Sequence, residues 1–177
     1  AGDHHRIEVC GWFAFLIGHF ARPFLPFLYA QKRVLGFDFD SPPQLYSRVS
    51  DWTRYFNTAG EVRKVHLPQL VCRVEEASSG SGIQRLERVY DRIYIDEVQD
   101  LCGYDLEVLK LLMNSVLPIE MVGDIRQAIL VTNEREQKND KYKYMRIWTW
   151  FRQQEAAGRL RITHRCETWR CHPEIAS

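Results

Sequence analysis

The segment from residue 88 to 124 constrains the fold more than any other. "RVYDRIYI" (88–95) has the β-branched and aromatic content of a buried strand. "DLEVLKLLMNSVL" (105–117) carries its apolar residues at helical spacing, and "PIEMVGD" (118–124) reads as a second strand with its turn. A strand, a helix and a strand in that order predict a parallel pair joined by a crossover helix, and hence an α/β sheet.

The flanking sequence can be fitted around that unit. "VCGWFAFLIGHFARPFLPFLYA" (9–30) is apolar enough to suggest a membrane span, but His19, Arg22, Pro23 and Pro26 interrupt it. Its unbroken part is shorter than the ~20 residues a bilayer requires. The spacing predicts a buried helix followed by a proline-bent connector, fed by a short strand at "RIEV" (6–9). "SPPQLYSRVSDWTRYFNTAG" (41–60) reads as a helix, with Leu45, Val49, Trp52 and Phe56 on one face and Gly60 at its end. "ASSGSG" (77–82) reads as a flexible surface loop and "NEREQKNDKYK" (133–143) as a polar excursion. "MRIWTWFRQQEAAG" (145–158) reads as a helix closed by Gly158, with Trp148 and Trp150 at core spacing, and "RLRIT" (159–163) as a further strand.

At 177 residues and 45% hydrophobic, the chain is long enough to bury one core. A net charge of +1 gives no global basic field, so a nucleic-acid partner would be met by a local patch. The five cysteines are an odd, scattered set and read as reduced thiols of a cytoplasmic protein.

The chemistry is concentrated in "DEVQD" (96–100). In open parallel sheets, ligands collect at the carboxyl ends of strands, where Asp96 and Glu97 emerge. Adjacent carboxylates there suit Mg²⁺ and phosphate chemistry, one holding the metal and the other activating water. The alternative is a solvated acidic turn that caps the next helix, which is all that Asp100 or Asp105 need do. "VGDIRQAI" (122–129) repeats the geometry one strand later and supplies Gln127. "ITHRC" (162–166) then supplies Arg165, a cation suited to charge on a transferring phosphoryl group. Singly, Gln127 is a surface residue and Arg165 a salt-bridge partner; in order, the three elements point to phosphoryl transfer.

"IYIDEVQD", "MVGDIRQAI" and "RITHRC" resemble motifs II, III and IV of superfamily 1 helicases of the UvrD, Rep and PcrA type. "RIEVCGWFAFL" is similar to the segment around motif Ib. The resemblance implies an incomplete, parallel-sheet RecA-like domain of the P-loop NTPase class. Residues 1–158 would be part of the first RecA-like domain and 159–177 the start of the second. It further implies ATP and Mg²⁺ as cofactors and single-stranded or partly duplex DNA as partner, with no membrane association. Asp96 would hold Mg²⁺ and Glu97 would be the catalytic base. Gln127 would sense the γ-phosphate, and Arg165 would reach it from the second domain. His164 stands where the family has a base-stacking Tyr. Gln99 and Asp100 would join motifs II and III.

The sequence departs from that pattern in two respects. It contains no GxxxxGK[ST], and "SSGSG" lacks the lysine, so the phosphate-cradling loop is expected outside this chain, as are motifs V and VI. The chain alone is then expected to hydrolyse ATP negligibly, and to self-associate if sheet edges are exposed. After Gln127, "AILVTNEREQ" replaces the family's aromatic run. That opens an alternative, a UvrD-related nucleotide-gated switch or sensor acting through a protein partner. His164, Cys166, Cys171 and His172 suggest zinc, but without paired ligand spacing; buried thiols and a helix starting at Pro173 are the simpler account.

Overall fold

The computed structural model describes residues 7–44 and 46–165. Helix α1 (Trp12–Leu16) passes through a π-helical turn (Ile17–Ala21) into α2 (Arg22–Leu28). The wider turn lies just where the Pro23 ring would otherwise meet the preceding turn's carbonyl. The helix therefore continues through both prolines, where the sequence predicts a bent connector. Leu16, Phe20, Ala21 and Leu25 form its fully buried face.

Helix α4 (Leu67–Ala77) packs against this first helical segment and buries Leu67, Leu70, Val71 and Val74. Pro68 sits in its first turn, where the missing N–H has no intrahelical partner to lose. On its other side α4 meets α6 (Asp105–Met113), which contributes Leu106, Leu109 and Leu112 to the same core. Helix α7 (Ile147–Ala156) adds Ile147, Trp150 and Phe151.

Strands β3 (Ile93–Ile95) and β4 (Ile119–Met121) pair in parallel, Ile93 beside Ile119 and Ile95 beside Met121, with α6 as the crossover. These four side chains pack on the core, while Tyr94 and Glu120 face outward, Glu120 paired with Arg92. A second parallel pair, β1 (Gly36–Asp38) with β2 (Glu61–Arg63), forms a separate sheet. The domain is thus a mixed α/β unit with two small parallel sheets.

Several elements differ from expectation. The 41–60 helix contracts to α3 (Trp52–Tyr55); Pro42 and Pro43 lie in irregular chain, and β2 begins directly after Gly60. The 77–82 loop is a tight reversal into α5 (Ser81–Val89), which occupies the first residues of the expected 88–95 strand. Glu75 organises that reversal, accepting the N–H groups of Gly82 at 2.7 Å and Ile83 at 3.2 Å. Carboxylate oxygens there satisfy donors that a helix start leaves open. Residues 159–163 do not form a strand: the N–H of Ile162 is taken by Glu155 at 2.9 Å, and no described strand lies alongside. Residues 7–9 are likewise not a strand. Among the described residues no helix is long and apolar enough to cross a membrane. Cys166, Cys171, His172 and Pro173 lie outside the described residues, as does most of the expected second domain.

Candidate functional site

The β3–β4 pairing fixes the site's backbone. Past the strands, Val122 donates to the Ile95 carbonyl at 2.8 Å, and Val98 donates to the Val122 carbonyl at 3.2 Å. The chain thereby turns at Asp96 and Glu97 while the neighbouring strand turns at Gly123 and Asp124. Glu97 adopts the left-handed region, φ 53° and ψ 38°. A non-glycine residue is held there at a cost of ~1–2 kcal/mol, a strain typical of functional turns. Val98–Asp100 follow as a single 3₁₀ turn.

Gln99 is the centre of the arrangement and is only 2% exposed. Its Nε2 donates to Glu97 Oε2 at 2.5 Å, and its Oε1 accepts the backbone N–H of Asp124 at 3.2 Å. Gly123 is required beside it: a Cβ there would lie 2.5 Å from Gln99 Oε1 and 3.0 Å from Val98 Cγ2. The Asp124 carboxylate accepts from Arg126 N–H at 3.0 Å, from Arg126 Nε at 3.2 Å, and from Gln127 Nε2 at 3.1 Å. The Arg126 donors hold the Asp124 carboxyl below the usual carboxylate range, so it is ionised at neutral pH. A continuous hydrogen-bonded chain thus runs Glu97–Gln99–Asp124–Gln127. It unites the two turns that the sequence singles out.

Asp96 and Glu97 are exposed at the strand edge, and Asp96 Oδ1 accepts the Glu97 N–H at 2.9 Å. Burial, with the Glu97 charge beside it, raises the Asp100 carboxyl. Among the described residues, no three His, Cys, Asp or Glu side chains group as a metal cage. Mg²⁺ is ordinarily held by one or two carboxylates, with phosphate oxygens and water completing the shell. An exposed Asp96 whose Oδ2 has no hydrogen-bond partner among the described residues fits that pattern.

Arg165 and His164 are also exposed, and no hydrogen bond or ion pair joins either to the acidic turn. His164 instead packs edge-on to Trp148 at 5.3 Å, while Trp150 is in the core.

Sequence reasoning missed the layer behind the acidic turn. Asp105, the first residue of α6, is not a surface cap but is 1% exposed. It accepts from Trp12 Nε1 at 2.7 Å and from Thr132 Oγ1 at 2.5 Å. Burial pushes its pKa up to about 6. Thr132 N–H also donates to the Asp100 carbonyl at 2.8 Å, and the Asn133 N–H donates to Cys102 Sγ at 3.2 Å. The run after Gln127 is therefore fastened to the back of the acidic turn. A lone Thr-Asn pair after an apolar run gives no sequence signal for this. No family model matches the chain, and no curated protein or solved structure matches it.

Proposed function

We propose that this chain supplies the acidic half of a Mg²⁺–nucleotide site in an ATP-dependent DNA translocase or helicase. The fold is then part of a RecA-like domain. The observation that carries the reading is the Glu97–Gln99–Asp124–Gln127 chain at the carboxyl ends of two adjacent parallel strands. Ligands of such sheets bind at that edge.

In this reading Asp96 holds the metal, and Mg²⁺–ATP, when bound, supplies the phosphoryl group. Glu97 accepts the proton of the attacking water, with Gln99 fixing one carboxylate oxygen and leaving the other to face that water. Gln127 sits one hydrogen bond from Asp124, so a change at its amide reaches Glu97 through Gln99. Arg165 completes the charge balance by approach from the second domain.

The second reading, a nucleotide-gated switch acting through a protein partner, is favoured by one observation. The run after Gln127 offers no aromatic ring until Tyr142, which is buried and bonded through its hydroxyl to Gln153 at 2.6 Å. A base-stacking platform is thus missing where the family has one.

ATP turnover by the full-length protein, with and without single-stranded DNA, tests both. Turnover stimulated by DNA and lost in Glu97→Gln supports the motor. Turnover indifferent to DNA favours the switch, and none at all removes both.

A further inference from the structure

A groove of about 620 Å³ lies apart from the acidic turn, between the end of the first helical segment, α3 and the β2 turn. Ligand sites commonly have volumes of ~300–1,000 Å³. Lys32, Arg33 and Arg63 line it, and no aspartate or glutamate does. In a chain whose net charge is only +1, Lys32 and Arg33, neither paired with a carboxylate among the described residues, give this concave surface a local positive patch.

The pairing of these cations sharpens the point. Arg63 has Asp38 beside it at 3.6 Å, yet its Nε is enclosed without a hydrogen-bond partner. Arg33 has no carboxylate partner among the described residues. Lys32 has none either; its ammonium rests over the Trp52 indole, 5.0 Å from the ring centre. The other face of that indole is stacked on Phe56 at 3.6 Å and 5°. Trp52 is thus a rigid aromatic wall, braced also by the Tyr29 ring edge-on at 5.4 Å, and the lysine over its indole is one that a phosphate would draw away.

Two amides complete the lining. The side chains of Gln31 and Gln44 have no hydrogen-bond partners among the described residues, although both line the groove. Gln31 is also held at φ 67°, a left-handed conformation that a non-glycine residue adopts only under constraint. Amide donors and acceptors, a flat ring and unpaired cations are the groups that read a base edge, stack a base and hold its phosphate.

We infer that this groove binds a phosphorylated nucleoside, either a free nucleotide or one unit of a single strand. Phosphate meets Arg33 and Lys32, and the base takes the indole face that Lys32 leaves. This inference is independent of the motor reading, since it requires neither the acidic turn nor ATP turnover.

The test is binding of fluorescein-labelled oligo(dT) to the 177-residue chain, followed by anisotropy, with AMP and inorganic phosphate as competitors. A salt dependence with a log–log slope of about −0.7 to −1.4 is expected, from ~0.7 counterion released per contacted phosphate and the one or two phosphates that Arg33 and Lys32 can meet. Lys32→Glu with Arg33→Glu is expected to weaken binding at least tenfold at an unchanged melting temperature. The same charge change at the exposed Arg88 and Arg161 is expected to leave binding as it is. Trp52→Phe, which keeps the stack on Phe56 but shrinks the wall, is expected to weaken it severalfold. Displacement by AMP identifies a nucleotide pocket, and binding of the oligonucleotide without such displacement identifies a strand site. Absence of binding, indifference to Lys32→Glu with Arg33→Glu, or equal displacement by inorganic phosphate overturns the inference. A failure of ATP turnover in the full-length protein leaves this result untouched.

Discussion

Gln99 joins Asp124 across two strands: its side-chain oxygen accepts the Asp124 N–H at 3.2 Å while its amide holds Glu97. Replacing it by leucine keeps the volume but removes the acceptor of a half-buried N–H and frees the Glu97 carboxylate. Gln99→Leu is expected to lose ~0.5–1.5 kcal/mol in urea unfolding, the net worth of such a hydrogen bond. In the full-length protein its turnover should fall with that of Glu97→Gln. Unchanged stability would show that the bridge is incidental.

Gly123 is the companion of that bridge. A methyl group there meets Gln99 Oε1 at 2.5 Å, so Gly123→Ala must displace the Gln99 amide or the β4 turn. The expected loss is ~1–3 kcal/mol, read as a lowered melting temperature. The double variant with Gln99→Ala should recover part of it, because the obstacle is then gone.

Asp105 titrates against the fold. Its pKa rises to about 6 on burial, from the ordinary aspartate value of 3.8, so the folded chain binds the proton more tightly than the unfolded chain. Stability from this group is therefore highest in acid and falls as pH rises from about 4 through about 6. The loss is on the order of 2–3 kcal/mol. Asp105→Asn stays neutral and can still accept from Trp12. It is expected to flatten that slope and to match or exceed the parent's stability at pH 7. A less stable Asp105→Asn at pH 7 would mean that the charge itself is required.

His66 pulls the other way. It is buried beside Arg54 and Arg63; its Nε2 accepts the Gln44 N–H at 2.9 Å, and its Nδ1 has no partner. Burial, then those two cations, lower its pKa to about 4 from the ordinary histidine value of 6.5. Its contribution is thus intact above about 6.5 and lost as pH falls towards 4. His66→Phe is expected to remove this acid sensitivity, leaving the opposite slope of Asp105 visible in the melting temperature between pH 4 and 6. An unchanged acid limb would exclude His66 as its source.

The legible part of the sequence was the part written in local pattern. The strands and crossover helix expected at 88–95, 118–124 and 105–117 appear in that order, shortened to 93–95, 119–121 and 105–113. Hydrogen bonds bring "DEVQD" and "GDIRQ" together, while His164 and Arg165 are not joined to them. What stayed illegible depends on distant partners. Strands β1 and β2 are three residues each and are defined only by each other. Helix α5 starts within a Ser/Gly tract because Glu75, in the preceding helix α4, supplies the acceptors. Continuation of α2 through Pro23 and Pro26 rests on a π-helical turn that no composition rule announces.

The bond from Trp12 to Asp105 spans 93 positions of the chain. During synthesis, the indole of the first helix must therefore wait for 93 further residues before it finds its acceptor. Until then the Asp105 carboxylate is hydrated and charged, and the turn in front of it has no backing. Long closures of this kind slow the late steps of folding more than they alter the final stability. The backing of the acidic turn is therefore complete only when segments from both halves of the chain have met.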